Sequence, residues 1–528
     1  MAITIPRAAT PGEAGVSKKA LAELMREVIE SGHELHSIMV VRHGQVAYEG
    51  YRAPYGPSFP HMLYSVSKSI TSIAVGYAVE EGRFRLEDKV ADLLPELRDY
   101  DTHENLEKLT VRHLITMSAG KKISFMVDRT KKQWIKDYGL GAWDYAPGEG
   151  FSYVNENIYL LCAIVHRVTG ACVTDYLMPR LFEPLGIARP YWENDGCGVE
   201  TGGWGLFLRL EDLTKIAMCY LDEGKFQGRQ VIPAHWVRES SSKQVDSNPG
   251  SDGNGSYGYG YCFWRNKIPG SFRMDGMFGQ FALIFPENDA CVVTNGGQLD
   301  MDALQNTLLK YIPALFEECE EEDIAIPALP AYPVLPAAPR SAALEKQLNG
   351  RCIRFPNAVQ RVARAVGFPP GIMPAMIFFM SADKAGGIDR VHLRFGGDRV
   401  KFSWSEGRER NTVLCGMAGR AYKSKITLGG VEFVLACSAA WQDGELHMQL
   451  RAVNSVAERR LRFQFRGQSV RMLMSSNPDL HLMVGGAANA VRENFPNKAL
   501  GELAARMMGH VVLLAEPPHV GYMKPLFR

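Results

Sequence analysis

Ser65-Val66-Ser67-Lys68 places a hydroxyl nucleophile and an amine three residues apart. On a helix these two positions share a face, so the Lys68 amine can reach the Ser65 hydroxyl. Burial lowers the pKa of a lysine and lets part of it act as a neutral base. The N–H groups at a helix N-terminus also favour negative charge that develops on a substrate oxygen. The motif therefore indicates serine-based acyl transfer, and its ordinary alternative is an N-capping Ser65 with a surface Lys68.

Two later segments could complete such a site. Tyr153-x-Asn155 is the only Tyr-x-Asn in the chain. A tyrosine beside a cation can accept a proton, and an asparagine can orient the lysine or hold a substrate carbonyl. The glycine-rich segment 276–280 enters an apolar strand, where glycine permits a ligand to approach the sheet edge closely. The Met277 N–H could then form an oxyanion hole with the Ser65 N–H. A core tyrosine and a glycine bulge are the alternatives.

The elements that must position these residues are predicted from hydrophobic periodicity. Apolar residues recur at i, i+3, i+4, i+7 and i+8 over residues 65–81, which predicts an amphipathic helix that ends at Gly82. A second helix is expected over 157–168, and hairpins of apolar strands are expected over 38–48 and 281–294. Together these elements predict an α+β fold in which an antiparallel sheet is flanked by helices.

A proline-rich segment divides the chain. Prolines stand at every third position from Pro327 to Pro339, which aligns them along one edge of a polyproline II strut. We therefore predict a first domain over residues 1–325, a linker over 326–342 and a second domain over 343–528. Period-two alternation of apolar residues predicts that the second domain is rich in strands.

Composition excludes several classes of protein. The chain has 59 basic and 58 acidic residues, a net charge of +1, which gives no sign of the positive face that nucleic-acid binding requires. We expect no secretory signal, because residues 1–17 lack a basic region followed by an apolar core. We expect no membrane span, because no run approaches about 20 apolar residues. The ten cysteines lack CxxC spacing and are expected to be reduced, mostly buried thiols of a cytoplasmic protein. His33 and His36 have no apparent third ligand and are expected to be solvated.

The order of the three motifs resembles that of the serine β-lactamase-like hydrolases. This family includes class C β-lactamases, D-alanyl-D-alanine carboxypeptidases, D-aminopeptidases, carboxylesterases and aminohexanoate-oligomer hydrolases. The resemblance covers residues 15–320 and is carried by residues 64–69, 80–82, 86–90, 109–120, 147–155, 184–186, 202–206 and 212–213. It implies a β-lactamase/transpeptidase-like fold. The second domain is similar to the lipocalin-like β-barrels that are appended to several of these hydrolases.

The resemblance also implies roles for individual residues. Ser65 would be the nucleophile and Lys68 its proton partner, with Tyr153 as general base and acid and Asn155 as a positioning group. The Ser65 and Met277 N–H groups would hold the tetrahedral intermediate that precedes an acyl-enzyme.

The third motif departs from the family pattern. β-Lactamases and carboxypeptidases usually carry Lys-Thr-Gly or His-x-Gly where this chain has Met274-Asp275-Gly276, and an acidic side chain there would repel a substrate carboxylate. The Gly-x-x-Gly-Gln pattern that follows resembles the esterase and aminohexanoate-oligomer hydrolase branch. A neutral or amine-bearing substrate is therefore expected, with Asp275 as a candidate partner for a substrate ammonium. Alternating aromatic residues over 257–264 predict a further strand.

We therefore expect a hydrolase that cleaves a small ester or amide through an acyl-Ser65 intermediate. No metal, cofactor, nucleic acid or membrane is expected to take part. The alternatives are an acyltransferase that uses the same intermediate, a β-lactamase or D-peptidase, and a non-catalytic sensor or binding protein. The presence of Ser65, Lys68 and Tyr153 together argues against the sensor. The second domain either restricts entry to the cleft or supports the fold without substrate contact, and the oligomeric state stays open.

Overall fold

The computed structural model describes residues 3–121, 134–248, 253–317, 324–356, 371–374, 387–407, 409–479, 516 and 518–525. Within these ranges the contacts divide the chain into two compact units, one that ends at Ala331 and one that begins at Tyr332. The change from one unit to the other falls inside the proline-rich segment. We refer to the two parts as the first unit and the second unit.

The first unit is built on an antiparallel sheet. Its described strands are β1 (Leu35–Arg42), β2 (Gln45–Tyr51), β3 (His61–Met62), β4 (Phe207–Leu208), β5 (Lys225–Phe226), β6 (Arg229–Gln230), β7 (Trp264–Arg265), β8 (Phe272–Gly276), β9 (Gln280–Phe285) and β10 (Ala290–Gly296). Six of them form the main sheet in the order β2–β1–β10–β9–β8–β7. The pairs β3–β4 and β5–β6 form short separate ladders.

Helices cover both faces of this sheet. Those that the structure describes in the first unit are α1 (Lys18–Glu30), α2 (Val66–Glu80), α3 (Val90–Leu93), α4 (Val111–Ile115), α5 (Trp134–Leu140), α6 (Asn155–Thr169), α7 (Val173–Leu177), α8 (Leu210–Leu221), α9 (Ala234–Ser241) and α10 (Met301–Leu315). On one face α1 and α10 share a core cluster with the sheet, in which Leu21 and Leu308 join Val40 and Leu283. α8 packs against β1, β9 and β10 outside that cluster, so it covers the opposite face.

α2 is buried around almost its whole circumference, where the sequence predicted one buried face. Twelve of its residues between Val66 and Ala78 are buried. A Cβ on Gly76 would lie 2.5 Å from the Trp236 ring of α9, so only glycine allows this approach. The hydroxyl of Ser69 donates to the Cys262 carbonyl at 2.6 Å, which satisfies one of the polar groups that this burial encloses.

Most of the predicted local elements are confirmed. The helix expected over residues 65–81 is α2, and the helix expected over 157–168 is α6, which begins two residues earlier and ends before the left-handed Gly170. The two predicted hairpins are β1–β2 and β9–β10.

Two local predictions are wrong. The strand expected over residues 257–264 is reduced to β7, because left-handed backbone at Gly258 and Cys262 turns the chain repeatedly. His33 and His36 are buried rather than solvated. His33 Nε2 lies 2.9 Å from Thr307 Oγ1, and His36 Nδ1 lies 3.0 Å from His61 Nε2.

The second unit is a closed β-barrel, and its described residues include one short helix. Its described elements are α11 (Ala342–Leu348), β11 (Arg351–Arg354), β12 (Ile388–Gly396), β13 (Arg399–Glu406), β14 (Glu409–Gly416), β15 (Tyr422–Leu428), β16 (Val431–Gln442), β17 (Glu445–Ala452), β18 (Glu458–Arg466), β19 (Ser469–Asn477) and β20 (His519–Pro525). The closed order is β14–β13–β12–β11–β20–β19–β18–β17–β16, and a bridge between Gly416 and Ser438 completes the ring. The predicted fold class is therefore confirmed for both parts of the chain.

Two further observations concern the described ranges as a whole. Seven of the nine cysteines that the structure places are buried. No single helix among the placed residues has both the length and the apolar composition of a membrane span. The pair Asn155–Thr169 and Val173–Phe182, bent by 68°, meets the two criteria only when its members are taken together.

Candidate active site

Ser65 and Lys68 lie together at the start of α2. Ser65 is the N-cap residue and has a helical backbone, φ −71° and ψ −9°, and its side chain makes no capping hydrogen bond. Its hydroxyl is therefore available to accept a hydrogen bond from Lys68 Nζ at 2.9 Å. The alternative that the sequence left open, a capping Ser65 beside a surface Lys68, does not describe the molecule.

The Lys68 ammonium is enclosed by neutral acceptors. The side chain is 1% exposed. Besides Ser65, its Nζ donates to Asn155 Oδ1 and to the Gly203 carbonyl, each at 2.7 Å. Three donors thus meet three acceptors, none of which carries a charge. Burial lowers the pKa of Lys68 to about 7, so that much of this amine is unprotonated near neutral pH.

Tyr153 lies against the same lysine. Tyr153 precedes the start of α6 by two residues. The centroid of its ring lies 4.7 Å from Lys68 Nζ. The phenol shares a side-chain hydrogen bond with Ser65. Burial raises the pKa of Tyr153, and the bond with Ser65 acts in the opposite direction. The net result is a phenol that keeps its proton at neutral pH.

The segment 202–206 fixes the first turns of α2 in place. The Leu63 N–H donates to the Leu206 carbonyl at 2.9 Å, and Thr71 Oγ1 donates to the Gly202 carbonyl at 3.1 Å. A Cβ on Gly202 would lie 2.5 Å from Cys162 Sγ, so the segment can approach α6 only as glycine. The Gly203 carbonyl that binds Lys68 was not predicted. The adjacent glycines of this segment were the available signal.

Strained backbone lies next to the nucleophile. Tyr64 has a φ of 47° and Phe278 a φ of 69°, values that side-chain-bearing residues rarely adopt. Both rings are buried and meet edge to face with centroids 5.1 Å apart. The contact joins the residue before Ser65 to the turn between β8 and β9, and aromatic packing holds both residues in a conformation that costs about 1–3 kcal/mol each.

The turn between β8 and β9 is pressed against the start of α2. A Cβ on Gly276 would lie 2.3 Å from the Leu63 carbonyl oxygen. The fully buried Gln280 amide donates to the Met277 carbonyl at 3.0 Å and to the Gly296 carbonyl at 2.8 Å. Gly276 and Met277 therefore lie beside the residues that lead into Ser65.

Asp275 enters this neighbourhood as half of an ion pair. Its Oδ2 accepts from Arg273 Nε at 2.7 Å, and the two side chains are 13% and 3% exposed. Burial raises the pKa of Asp275, and the Arg273 guanidinium counteracts that shift. Arg273 also donates to Asn266 Oδ1 at 3.0 Å. Sequence reasoning missed Arg273, although its position two residues before Asp275 puts both on one face of β8.

Aromatic rings form one wall of the site. The Tyr153 centroid lies 5.5 Å from that of Trp264, and the Phe151 centroid lies 5.8 Å from Trp264. Tyr259 packs edge-on against Trp264 at 4.8 Å. Trp264, Phe151 and Tyr153 are each partly exposed, whereas Tyr259 is buried. The wall therefore presents apolar surface to a bound molecule directly beside the Ser65–Lys68 pair.

Comparison with known proteins identifies the family of the chain. The family model described as Beta-lactamase matches residues 21–309. The chain is 27% identical over 327 residues to a 6-aminohexanoate-dimer hydrolase of Paenarthrobacter ureafaciens, a match that covers 56% of this chain and 81% of that protein. It is 24% identical over 336 residues to Protein flp of Staphylococcus aureus, across 57% of this chain and 65% of the relative.

Among solved structures, a penicillin-binding protein homologue from Caulobacter crescentus aligns with a TM-score of 0.47 and 18% identity. That alignment covers 56% of this chain and 96% of the other. The family model spans more than half of the chain, and its range contains Ser65, Lys68 and Tyr153. The chain therefore belongs to the beta-lactamase family and is a serine hydrolase of that family.

Proposed function

We propose that this hydrolase cleaves a small ester or amide through an acyl-Ser65 intermediate. The observation that carries the proposal is the 2.9 Å contact between Ser65 Oγ and the amine of Lys68, whose pKa lies at about 7. A base with a pKa near the working pH combines a large unprotonated fraction with adequate basicity.

The pKa values of Lys68 and Tyr153 suit them to different proton transfers. Lys68 accepts a proton from Ser65, and Tyr153 donates a proton to the leaving group. Ser65 Oγ attacks the substrate carbonyl carbon as its proton passes to Lys68 Nζ, and the carbonyl electron pair moves onto oxygen. Collapse of this intermediate breaks the bond to the leaving oxygen or nitrogen, which takes a proton from the Tyr153 phenol. Lys68 then returns its proton to Tyr153. Water attacks the acyl carbon by the same route in reverse and releases the acid and the Ser65 hydroxyl.

The Ser65 and Met277 N–H groups are proposed to stabilise the oxyanion. Two features support this assignment. Gly276 approaches Leu63 closely, and the Gln280 amide donates a hydrogen bond to the Met277 carbonyl. A preorganised pair of N–H donors of this kind contributes on the order of 10²–10³ in rate for each donor.

The substrate is proposed to be an uncharged ester or amide with an apolar portion. The Arg273 guanidinium already compensates Asp275, so this pair offers neither a free cation for a carboxylate nor an unpaired carboxylate for an ammonium. The partly exposed faces of Phe151, Tyr153 and Trp264 suit a hydrocarbon chain. A relative named 6-aminohexanoate-dimer hydrolase makes the amide bond the first linkage to test, in linear amides without charged ends.

Covalent labelling tests the nucleophile. Mass spectrometry after reaction with a fluorophosphonate should locate a single adduct on Ser65. Ser65→Ala should abolish labelling and turnover, and Ser242→Ala, at an exposed serine bonded to the Arg238 carbonyl, should change neither. Labelling that persists in Ser65→Ala would contradict the proposal and would indicate another nucleophile. The absence of an adduct in the wild type would favour a non-catalytic binding protein.

The leaving group tests the role of Tyr153. Tyr153→Phe should lower kcat/KM for an alkyl amide by about 10²–10⁴, because an amine cannot leave without a proton. For a p-nitrophenyl ester, whose leaving group departs as an anion, the loss should stay within about tenfold of wild type, well below that range. Equal losses on both substrates would show that Tyr153 acts as the base toward Ser65 instead.

A further inference from the structure

A cleft on the second unit is lined by residues that take no part in the chemistry described above. It has a volume of about 390 Å³, and residues of β11, β12 and β20 line it. Among the described residues of this lining are three basic ones, Arg354, Arg390 and Lys524, together with Asp389 and Tyr522. Basic residues therefore outnumber acidic ones by three to one in the described lining.

The strand register forces like charges together. Arg354 of β11 stands directly opposite Arg390 of β12 and, on its other side, directly opposite Tyr522 of β20. Like charges at directly opposed positions of an antiparallel ladder destabilise a sheet. A β-bulge between Ile388 and Arg390 bends the strand at this point.

Elsewhere on the same barrel, some basic side chains pair with carboxylates. Arg460 pairs with Glu458 at 2.6 Å, and Lys425 pairs with Glu432 at 2.8 Å. Among the described residues, no carboxylate forms an ion pair with Arg354, Arg390 or Lys524. Asp389 is the carboxylate among the described residues that line the cleft, so three cations and one anion leave a net charge of +2 there.

The floor of the cleft is rigid. Phe355 is 4% exposed and meets His519 edge-on, with ring centroids 5.7 Å apart at 88°. A Cβ on Gly521 would lie 2.7 Å from both the Arg354 carbonyl oxygen and the Phe355 ring, so glycine is what permits this packing. The two guanidinium groups are thus carried by β-strands rather than by a loop.

We propose that this cleft binds a small phosphate-type anion, with Arg354 and Arg390 as paired donors and Lys524 as a third cation. A planar guanidinium matches two oxygens of a phosphate, and two guanidiniums on neighbouring strands can share one phosphate group. The half-exposed Tyr522 ring at the rim would contact whatever the phosphate carries. The anion would supply the charge that the sheet lacks. This inference does not depend on the reaction at Ser65.

Thermal unfolding of the full chain in pyrophosphate tests the proposal, with chloride at equal ionic strength as reference. Pyrophosphate should raise the unfolding midpoint of the wild type. Arg354→Gln and Arg390→Gln should each weaken pyrophosphate binding tenfold or more, and without the anion each should unfold at a higher temperature than wild type. Arg462→Gln, which removes a guanidinium 3.4 Å from Glu445 on the same barrel, should bind as wild type does.

Lys524→Gln provides an independent variant if either arginine variant fails to fold, and it should also weaken binding. The proposal is wrong if pyrophosphate leaves the wild-type midpoint unchanged, or if the Arg354 and Arg390 variants respond as fully as wild type. Binding only to vesicles that contain phosphatidic acid, or only to an oligonucleotide, would also overturn it, because either result would show a macromolecular surface in place of a small-anion site.

Discussion

Two segments of the first unit carry the same Ser-x-x-Lys spacing and bury the lysine equally, yet they do different things. Lys68 donates to three neutral oxygens, whereas Lys121 donates to the Asp101 carboxylate at 2.5 Å and to the carbonyls of Gly139 and Gly141. Lys121 is 2% exposed. The difference lies in the counter-charge, since a carboxylate in direct contact holds the proton on the amine.

The comparison shows how this fold distinguishes a lysine that can act as a base from a lysine that forms a structural ion pair. Burial lowers the pKa of both lysines, but at Lys121 the hydrogen bond with Asp101 acts against that shift. At Lys68 nothing that it hydrogen-bonds carries a negative charge. A motif defined by residue types therefore becomes a catalytic pair only through partners that lie far away in the chain.

Substitution of each lysine should give the largest difference between the two segments. Lys68→Met should lower kcat/KM by about 10²–10⁴, because the base is lost. Lys121→Met should leave Asp101 as a buried, unpaired carboxylate and lower the free energy of unfolding by about 3–5 kcal/mol. Denaturant unfolding and steady-state kinetics measure the two effects. A large loss of turnover per folded molecule in Lys121→Met would contradict the assignment.

The buried His36–His61 pair adds a third base to the comparison. Like Lys68, it has neutral hydrogen-bond partners. His61 Nδ1–H donates to the Met62 carbonyl at 2.9 Å, and Nε2 faces His36. Burial lowers the pKa of His61 to about 4. The folded state therefore favours the neutral ring, and its stability is complete above the unfolded pKa of about 6.5 and declines as the pH falls toward 4.

The expected loss between these limits is about 3 kcal/mol, since each unit of pKa shift corresponds to about 1.4 kcal/mol. Urea unfolding at intervals from pH 7 to pH 4 measures it. His61→Gln, which cannot acquire a charge, should show a shallower decline over the same range. A variant with the wild-type slope would assign the acid sensitivity to other groups.

A variant that gives Lys68 a carboxylate partner, as Lys121 has, tests the comparison directly. Asn155→Asp places a carboxylate where Oδ1 now accepts from Lys68 Nζ at 2.7 Å. The pKa of Lys68 should rise by about 1–3 units, because an adjacent opposite charge favours the protonated form. The acid limb of the kcat/KM profile, expected near pH 7 in the wild type, should move to higher pH. Asn155→Ala should leave that limb without an upward shift, and a profile that stays in place in Asn155→Asp would exclude Lys68 as the base.

The parts of the site that follow from local sequence were predictable. Helical spacing put Lys68 one turn from Ser65, and the order of motifs pointed to Tyr153 and Asn155 as their companions. Both partners contact the pair as expected. The β9–β10 hairpin, which begins three residues after Met277, was visible as two apolar runs joined by a turn. The distance of Met277 from α2 did not follow from the sequence.

Other features depend on contacts between distant segments, which a pattern of residue types does not contain. The Gly203 carbonyl binds Lys68 across 135 positions, and His36 meets His61 on a different strand. The stretch 257–264 alternates as a strand does, but its glycines permit turns that tertiary packing selects. In the second unit, alternation predicted the strands, whereas the ring depends on β20 pairing with β11 from across the domain.

The left-handed backbone at Tyr64 has an evolutionary consequence. Glycine adopts such a φ at little cost, so replacing Tyr64 would relieve strain and remove the ring that braces the turn after β8. Truncation of a buried aromatic ring costs about 3–5 kcal/mol, which exceeds the strain that glycine would relieve. Selection for heat resistance and selection for turnover should therefore both retain the tyrosine at this codon.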